Sequence, residues 1–329
     1  MTPDPVTSTR TKTVVVVGAG IIGSYTLPHV ARMPEVARII AVDHDRYDHT
    51  NLMGQDITPG DVGRPKVMVQ ARRLRRIAPN VVVEPIHDRV EHVPLAHLRA
   101  DVILSCVDSL EARLVINEIA WRLGVPWIDS GVHGQELLAR VNVFVPGAEV
   151  PCLECSLSVD DYAAVEQTYP CAAGEGASAP AATNASSALG ALAAAMQALE
   201  CRKVLAGDLD RAAVGREILV NAAWHTHFVT RLRRNPQCRF NHATWQIEPL
   251  ATLATQMALG TLLARDSKAV LWMDRRRFVT ELACPACGTV RKLLRLTDRL
   301  GPATRRCRRC RYAVTPRGFD LRDRLEAGE

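Results

Sequence analysis

Seven of the ten cysteines in this 329-residue chain stand in pairs or beside a histidine, at spacings that suit a metal better than a disulfide. Cys284-Pro-Ala-Cys287 and Cys307-Arg-Arg-Cys310 are separated by nineteen residues, the arrangement of a zinc ribbon. Four thiolates close the coordination shell, so this zinc would hold a short tail folded and leave no position open for catalysis. A second kind of chemistry is carried by Gly18, Gly20 and Gly23, with Asp43 twenty residues beyond the last of them. Gly18 permits a tight turn, Gly20 lets a phosphate reach the backbone, and Gly23 lets helix and strand pack closely. A carboxylate at position 43 can accept ribose hydroxyls. These residues predict nucleotide binding without naming the nucleotide, and a nicotinamide-dependent oxidoreductase would use the same turn.

Strands and helices must deliver these groups. Residues 13–17 read as a strand, the glycine turn opens an apolar helix, and 39–42 form a second strand closing on Asp43. A helix opens at Lys66, with Val67, Ala71, Leu74 and Ile77 at helical period. Further strands are expected at 81–83, 101–106 and 127–129, with a helix over 113–123. Strands alternating with helices predict an α/β fold, doubly wound and Rossmann-like, with a mainly parallel sheet. Strands at 139–145 and within 217–231 extend it in antiparallel fashion. Functional groups in such sheets gather at the carboxyl ends of strands, and Asp43, Asp108 and Asp129 are each expected to close one. The Ala-, Ser- and Gly-rich stretch 172–187 reads as a mobile loop, followed by an Ala-rich helix over 187–205 and another over 249–265. The expected organisation is a disordered terminus over 1–12, a main domain over 13–265 and a zinc-ribbon domain over 266–329, with the boundary in 266–283.

The net charge of +6 is unevenly placed. Residues 284–329 hold twelve Lys and Arg against five Asp and Glu, which leaves the preceding 283 residues at −1. Arg305, Arg306, Arg308, Arg309 and Arg311 crowd the second knuckle. They could meet nucleic acid or an acidic protein, and the lack of interleaved aromatics favours protein. The polar first twelve residues carry no signal-peptide or anchor pattern, and no segment has eighteen uninterrupted apolar residues. A cytoplasmic protein is expected, with no membrane partner.

The order of motifs over roughly 13–242 resembles the ThiF, MoeB and HesA family, bacterial relatives of ubiquitin-activating enzymes. The resemblance rests on Gly18 to Gly23, then Asp43-His44-Asp45, Asn51-Leu52 with Gln55, and Gly63 with Lys66. It continues through Cys106-Val107-Asp108-Ser109 with Arg113 and Asn117, Pro151 to Cys155, Cys171 with Pro180, Gln197 to Glu200, and Arg234-Asn235-Pro236 before Cys238. It implies adenylation, in which ATP is held with Mg2+ while the C-terminal carboxylate of a small ubiquitin-like or sulfur-carrier protein, or of a peptide, attacks the α-phosphate. Lys66 and Asp108 would be catalytic, Lys66 as the cation and Asp108 as the magnesium ligand. Gly18, Gly20, Gly23, Asp43, Asp45, Asn51, Gln55 and Arg113 would surround the nucleotide.

The family places Cys-x-x-Cys pairs at both ends of its later span. Here the second pair is Cys238 with His242 one residue late, so Cys152, Cys155, Cys238 and His242 are expected to hold a second structural Zn2+. Cys171 occupies the position where relatives carry a thiol that receives the activated group, whereas Cys106 and Cys201 read as core. A homodimer is implied. Two departures stand out: Gly54 replaces a family arginine, and no arginine-bearing helix precedes the first strand. Arg46 or Arg64 could substitute, and a non-catalytic nucleotide-binding scaffold is the alternative to an enzyme.

Overall fold

The computed structural model describes residues 10–162, 185–247 and 277–314, with short pieces between 260 and 326. The chain divides into two compact units, Met1–Ile247 and Glu248–Glu329. This division lies ahead of the 266–283 boundary that composition suggests. Most of the helix expected over 249–265 falls outside the described residues, as do residues 1–9.

The first unit is built on one eight-stranded sheet in the order β3-β2-β1-β4-β5-β6-β7-β8. Its strands are β1 (Lys12–Val17), β2 (Val36–Val42), β3 (Val82–Ile86), β4 (Val102–Ser105), β5 (Trp127–His133), β6 (Leu138–Phe144), β7 (Arg216–Asn221) and β8 (Thr226–Arg231). β1 to β5 pair in parallel, and β6 to β8 continue the sheet antiparallel. β1 shows why such a sheet forms: Val14 and Val16 pack into the core on one face while Val15 and Val17 pack into the core on the other. A strand buried on both faces reads as a continuous apolar run, and each buried valine contributes about 1.5–3 kcal/mol over exposure. Lys12 belongs to this strand and pairs with Asp101 at 2.9 Å, and Arg10 donates to the Val36 carbonyl at 2.8 Å. Residues 10–12, within the segment expected to be disordered, are therefore tied into the fold.

Among the described residues, four helices cover the sheet: α1 (Gly23–Ala31), α2 (Lys66–Ile77), α3 (Leu110–Leu123) and α4 (Ser187–Leu205). The ends of α3 are set locally. The Ser109 hydroxyl accepts from the Ala112 N–H at 3.2 Å, and Gly124 closes the helix in the left-handed region at φ +66°. Ser186 caps α4 in the same way, accepting from Leu189 at 3.3 Å. No helix among the described residues is long and apolar enough to cross a membrane.

The second unit contains β9 (Val270–Trp272), β10 (Phe278–Ala283), β11 (Val290–Leu296), β12 (Leu321–Arg322) and β13 (Arg324–Glu326). β10 and β11 form an antiparallel hairpin, with β12 on the far side of β10. Its small core gathers Val279, Leu282, Leu300 and Val314 around Cys284 and Cys307.

Candidate active site and metal centres

The glycine turn between β1 and α1 is fixed by contacts that admit no side chain at two of its three glycines. Gly18 has φ +93°, and a Cβ there would lie 2.6 Å from the Cys106 carbonyl oxygen. A Cβ on Gly23 would lie 1.9 Å from the Gly18 carbonyl oxygen. At Gly20 nothing stands within 4 Å, so its open side faces the cavity that it lines. Asp43, at the end of β2, ties the turn in place. One carboxylate oxygen accepts from the Ala19 N–H at 2.6 Å and the other from the Asp45 N–H at 2.7 Å. Behind them Tyr47 is buried, donates to the Ala19 carbonyl at 3.2 Å and accepts from Gln70 at 2.8 Å. Burial raises its phenol above the ordinary value, so it stays a donor.

A cavity of about 1310 Å³ opens where β1, β2 and β4 finish. Its walls bring together Gly18, Gly20, Asp43, Asp45, Asn51, Gln55, Lys66, Asp108 and Arg113, residues scattered over ninety-six positions of sequence. Gly23 serves the packing beneath. Lys66 begins α2, is 8% exposed, and donates to Asp45 at 2.9 Å. Burial pushes the Asp45 carboxyl up, but the bond and charge of Lys66, helped by His44 and Arg89, hold it below the ordinary value. Asp45 is therefore a carboxylate at neutral pH. Asn51 accepts from the Asp48 N–H at 3.0 Å, inside a capping box that shapes the loop. Gln55 carries a buried side-chain oxygen with no partner, an acceptor that a ligand hydroxyl, amine or bound water would satisfy.

One expectation is corrected here. Asp129 lies within β5, which runs on to His133, and its carboxylate is fully buried. It accepts from Ser105 at 2.5 Å, Arg113 at 3.0 Å and Arg140 at 3.1 Å, a structural knot. Arg113 lines the cavity, but its guanidinium is engaged by Asp129 and by the Val107 carbonyl at 2.6 Å. Its guanidinium is thus anchored in the cavity wall by a buried acid and a carbonyl.

Arg46 also faces the cavity, and Arg64 does not line it. Sequence reasoning missed Arg89, His133 and Arg140. Arg140 left a signal: within the apolar run of β6, positions 140 and 142 alone are polar, an alternation that marks one face of the strand. A Cβ on Gly54 would come within 2.9 Å of Ile21 and 3.3 Å of the Ala185 carbonyl. A side chain at this position would require the end of the Ile21 side chain to shift.

The residues fit a magnesium nucleotide in chemical type. The cavity offers an unpartnered acceptor, an open glycine backbone, a buried lysine and the acid of Asp108. The ligand atoms of Asp43, His44 and Asp45 also lie within 4.8 Å of one another. Both Asp43 oxygens already accept backbone N–H groups and Asp45 is paired with Lys66, which argues against a metal there.

Cys152, Cys155, Cys238 and His242 converge within 4.8 Å. Their sulfur–sulfur separations are 3.9 and 3.8 Å, and the Cys155 sulfur lies 3.5 Å from the His242 Nε2. Zinc bonded at roughly 2.3 Å to sulfur and 2.0–2.1 Å to nitrogen requires tetrahedral edges of roughly 3.8 and 3.6 Å, so the set fits. Burial lowers the His242 pKa, which keeps the imidazole neutral as a ligand must be. Three thiolates leave the site with net negative charge, and Arg234 stands 3.8 Å from the Cys155 sulfur. Arg122 holds the second half of the clip by donating to Asn241 at 2.7 Å and to the Ala243 carbonyl at 2.8 Å. In the second unit Cys284, Cys287, Cys307 and Cys310 also converge within 4.8 Å, compatible with the four-thiolate ribbon.

Cys106 and Cys201 are buried thiols pushed up to about 12 by burial, consistent with core packing. Cys171 and most of the 172–187 loop lie outside the described residues.

Comparison with known proteins agrees with this architecture. The model of the ThiF family matches residues 4–240. Ubiquitin-like modifier-activating enzyme 5 of Gallus gallus is 31% identical over 162 residues, covering 45% of this chain and 40% of that protein. The Oryza sativa subsp. japonica enzyme of the same name is 29% identical over 162 residues, covering 45% and 38%. The chain thus spans about two fifths of the length of the relatives it matches. Among solved structures, E. coli MccB with ATP superposes with a TM-score of 0.55 at 21% identity, covering 70% of this chain and 66% of that one. PaaA gives 0.52 at 19%, covering 68% and 64%. At these identities the likeness is one of fold. With the glycine turn, the strand-end acids and the sheet order all in place, the chain belongs to the ThiF family.

Proposed function

We propose that the protein is an ATP-dependent adenylyltransferase that activates the C-terminal carboxylate of a small ubiquitin-like or sulfur-carrier protein, or of a peptide. The observation that carries this reading is the meeting of Lys66 and Asp108 with the glycine turn in one cavity. In the proposed step a carboxylate oxygen bonds to the α-phosphorus, the bond from that phosphorus to the bridging oxygen breaks, and pyrophosphate leaves. Such a transfer needs positioning and compensation of spreading negative charge. Lys66 places a buried cation there, with Asp45 holding its amino group in one direction. Asp43 accepts ribose hydroxyls beside the turn it stabilises, while Asn51 and Gln55 offer neutral contacts. Asp108 would hold magnesium, which supplies charge neutralisation when bound. Relatives named for activating ubiquitin-like modifiers, and MccB structures containing ATP or the MccA peptide, support the substrate class. Later transfer to Cys171 and assembly as a homodimer belong to the same reading.

The loss of the family arginine at Gly54 favours one rival, a nucleotide-binding scaffold without catalysis. An NAD-dependent oxidoreductase would leave Lys66 and Asp108 without work. Melting the protein with ATP and Mg2+, or with NAD, separates the ligands. ATP–pyrophosphate exchange with the acyl partner then separates enzyme from scaffold. Lys66→Ala should lower exchange by roughly 10²–10³-fold, the scale for removing one preorganised stabilising group. Exchange unchanged in a folded Lys66→Ala protein would remove Lys66 from the mechanism. A thioester that persists in Cys171→Ala would exclude that thiol.

A further inference from the structure

We propose that the exposed edge of β11, together with the groove beside it, binds an extended acidic polypeptide segment. The sheet order β11-β10-β12 leaves the outer edge of β11 without a strand partner among the described residues. Such an edge presents backbone N–H and C=O groups that an added strand can pair. Val290 and Leu294 are 53% and 52% exposed and the exposed Lys292 lies between them, while the register with β10 shifts just beyond Lys292, so that Leu294 sits in a bulge of the strand. A shallow cavity of about 190 Å³ adjoins this end of the strand, lined in part by Val290, Arg306 and Arg308.

The charge is one-sided. Residues 277–314 contain ten Lys and Arg against two acids. Some of these cations are structural, since Arg291 donates to the Thr304 carbonyl at 2.6 Å and Arg305 to the Leu300 carbonyl at 3.2 Å. Lys292, Arg295, Arg306 and Arg308 are exposed, and no carboxylate bonds to them among the described residues.

This pattern selects its occupant. A second copy of the same edge would bring cation against cation, so the basic residues oppose self-pairing. A wholly apolar strand would bury those cations without partners. An extended segment with apolar residues opposite Val290 and Leu294, and carboxylates opposite the four cations, satisfies both sets. Nucleic acid would use the cations but not the two aliphatic side chains. Tyr312 is the only exposed aromatic within residues 277–314, which offers little base stacking beside these cations. This inference does not depend on the adenylation reading.

The test uses the full-length zinc-loaded protein and fluorescence anisotropy near physiological salt. The probe is a labelled peptide in which two valines four positions apart are surrounded by glutamates, matching the spacing of Val290 and Leu294. The comparison probes are the same peptide with glutamate at both valines, and a duplex DNA of roughly two helical turns. The valine peptide should bind most tightly. Leu294→Asp and the double substitution Arg306→Glu with Arg308→Glu should each weaken it by about tenfold or more, with zinc content and melting unchanged. If Leu294→Asp loses zinc, Lys292→Glu at an exposed position decides in its place. Equal or tighter binding of the all-glutamate peptide or of DNA, no binding of the valine peptide, or full binding by the folded variants would each overturn the proposal.

Discussion

Alanine at Gly20, Gly18 and Gly23 should separate nucleotide recognition from stability. At Gly23 the added Cβ would stand 1.9 Å from a backbone oxygen and 2.8 Å from its carbon, which no rotamer change can relieve. The turn must open, at a cost of about 3 kcal/mol or more by the scale of severe overpacking. For a unit of this size about 1 kcal/mol moves the melting midpoint by roughly 2–4 °C, so Gly23→Ala should melt roughly 6–12 °C below wild type. Gly18→Ala should fall in the same range, because a 2.6 Å approach to the Cys106 oxygen adds to the strain of φ +93°. Gly20→Ala meets nothing within 4 Å, so its midpoint should stay within about 2 °C of wild type, as expected of a site free of contacts. Its methyl would nonetheless stand where a phosphate approaches, and the stabilisation given by ATP and Mg2+ should disappear. Thermal melting of the four proteins with and without ATP and Mg2+ reads both quantities. A Gly20→Ala protein that keeps the full ATP-induced shift would refute the assignment of this turn to phosphate. A Gly23→Ala protein that melts like wild type would refute the packing argument.

Three further variants test the buried acid of the α2 approach and the first metal centre. Asp61 is buried, yet the Thr58 hydroxyl and N–H and the charges of Arg72 and Arg64 overcome the effect of burial and hold its carboxyl below the ordinary 3.8. A depressed folded value means the contribution is complete above about pH 4 and is lost as pH falls through the folded pKa. Asp61→Asn should therefore cost about 1–2 kcal/mol in urea unfolding at pH 7, and the deficit should shrink below pH 3.8; a deficit that grows on acidification would contradict the assignment. Cys152→Ser should lower bound zinc from two ions per chain to one, while Arg122→Ala should keep two but surrender the first to lower chelator concentrations. Metal analysis during an EDTA titration decides, and loss of both ions together in Arg122→Ala would count against a local role.

What could be read in advance was whatever is fixed by near neighbours in sequence. The valine run of β1, the three glycines, the start of α2 at Lys66 and the span of α4 all depend on local composition and caps. Pairing between distant strands was not legible. β3 continues through Pro85 to Ile86 because it lies beside β2, and β5 runs past Gly131 to His133 because β6 folds back along it. That extension moved Asp129 from a strand end into a strand interior. The site residues were legible by type and order, but not by what already engages them. Nothing in the positions of Arg113 and Asp129 announces that they bond to one another. Arg89 and Arg140 reach the cavity only because β3 ends and the antiparallel β6 begins at the same rim.

These engagements bear on how the cavity would handle a triphosphate. Lys66 is balanced by Asp45, and Arg113 and Arg140 share the buried Asp129. Each of these cations is held in place by an acid, which favours preorganisation over excess positive charge. Gly54 has no side chain with which to supply more. If the proposed adenylation is right, compensation for a triphosphate would come from magnesium held by Asp108 and from cavity-lining arginines outside the knot. Arg46 donates to the Gly63 carbonyl at 2.9 Å, and Arg89 contributes to the field at Asp45. A chain that has lost its family arginine should accordingly depend more on the divalent ion than one that retains it, because fewer fixed charges remain to take its place.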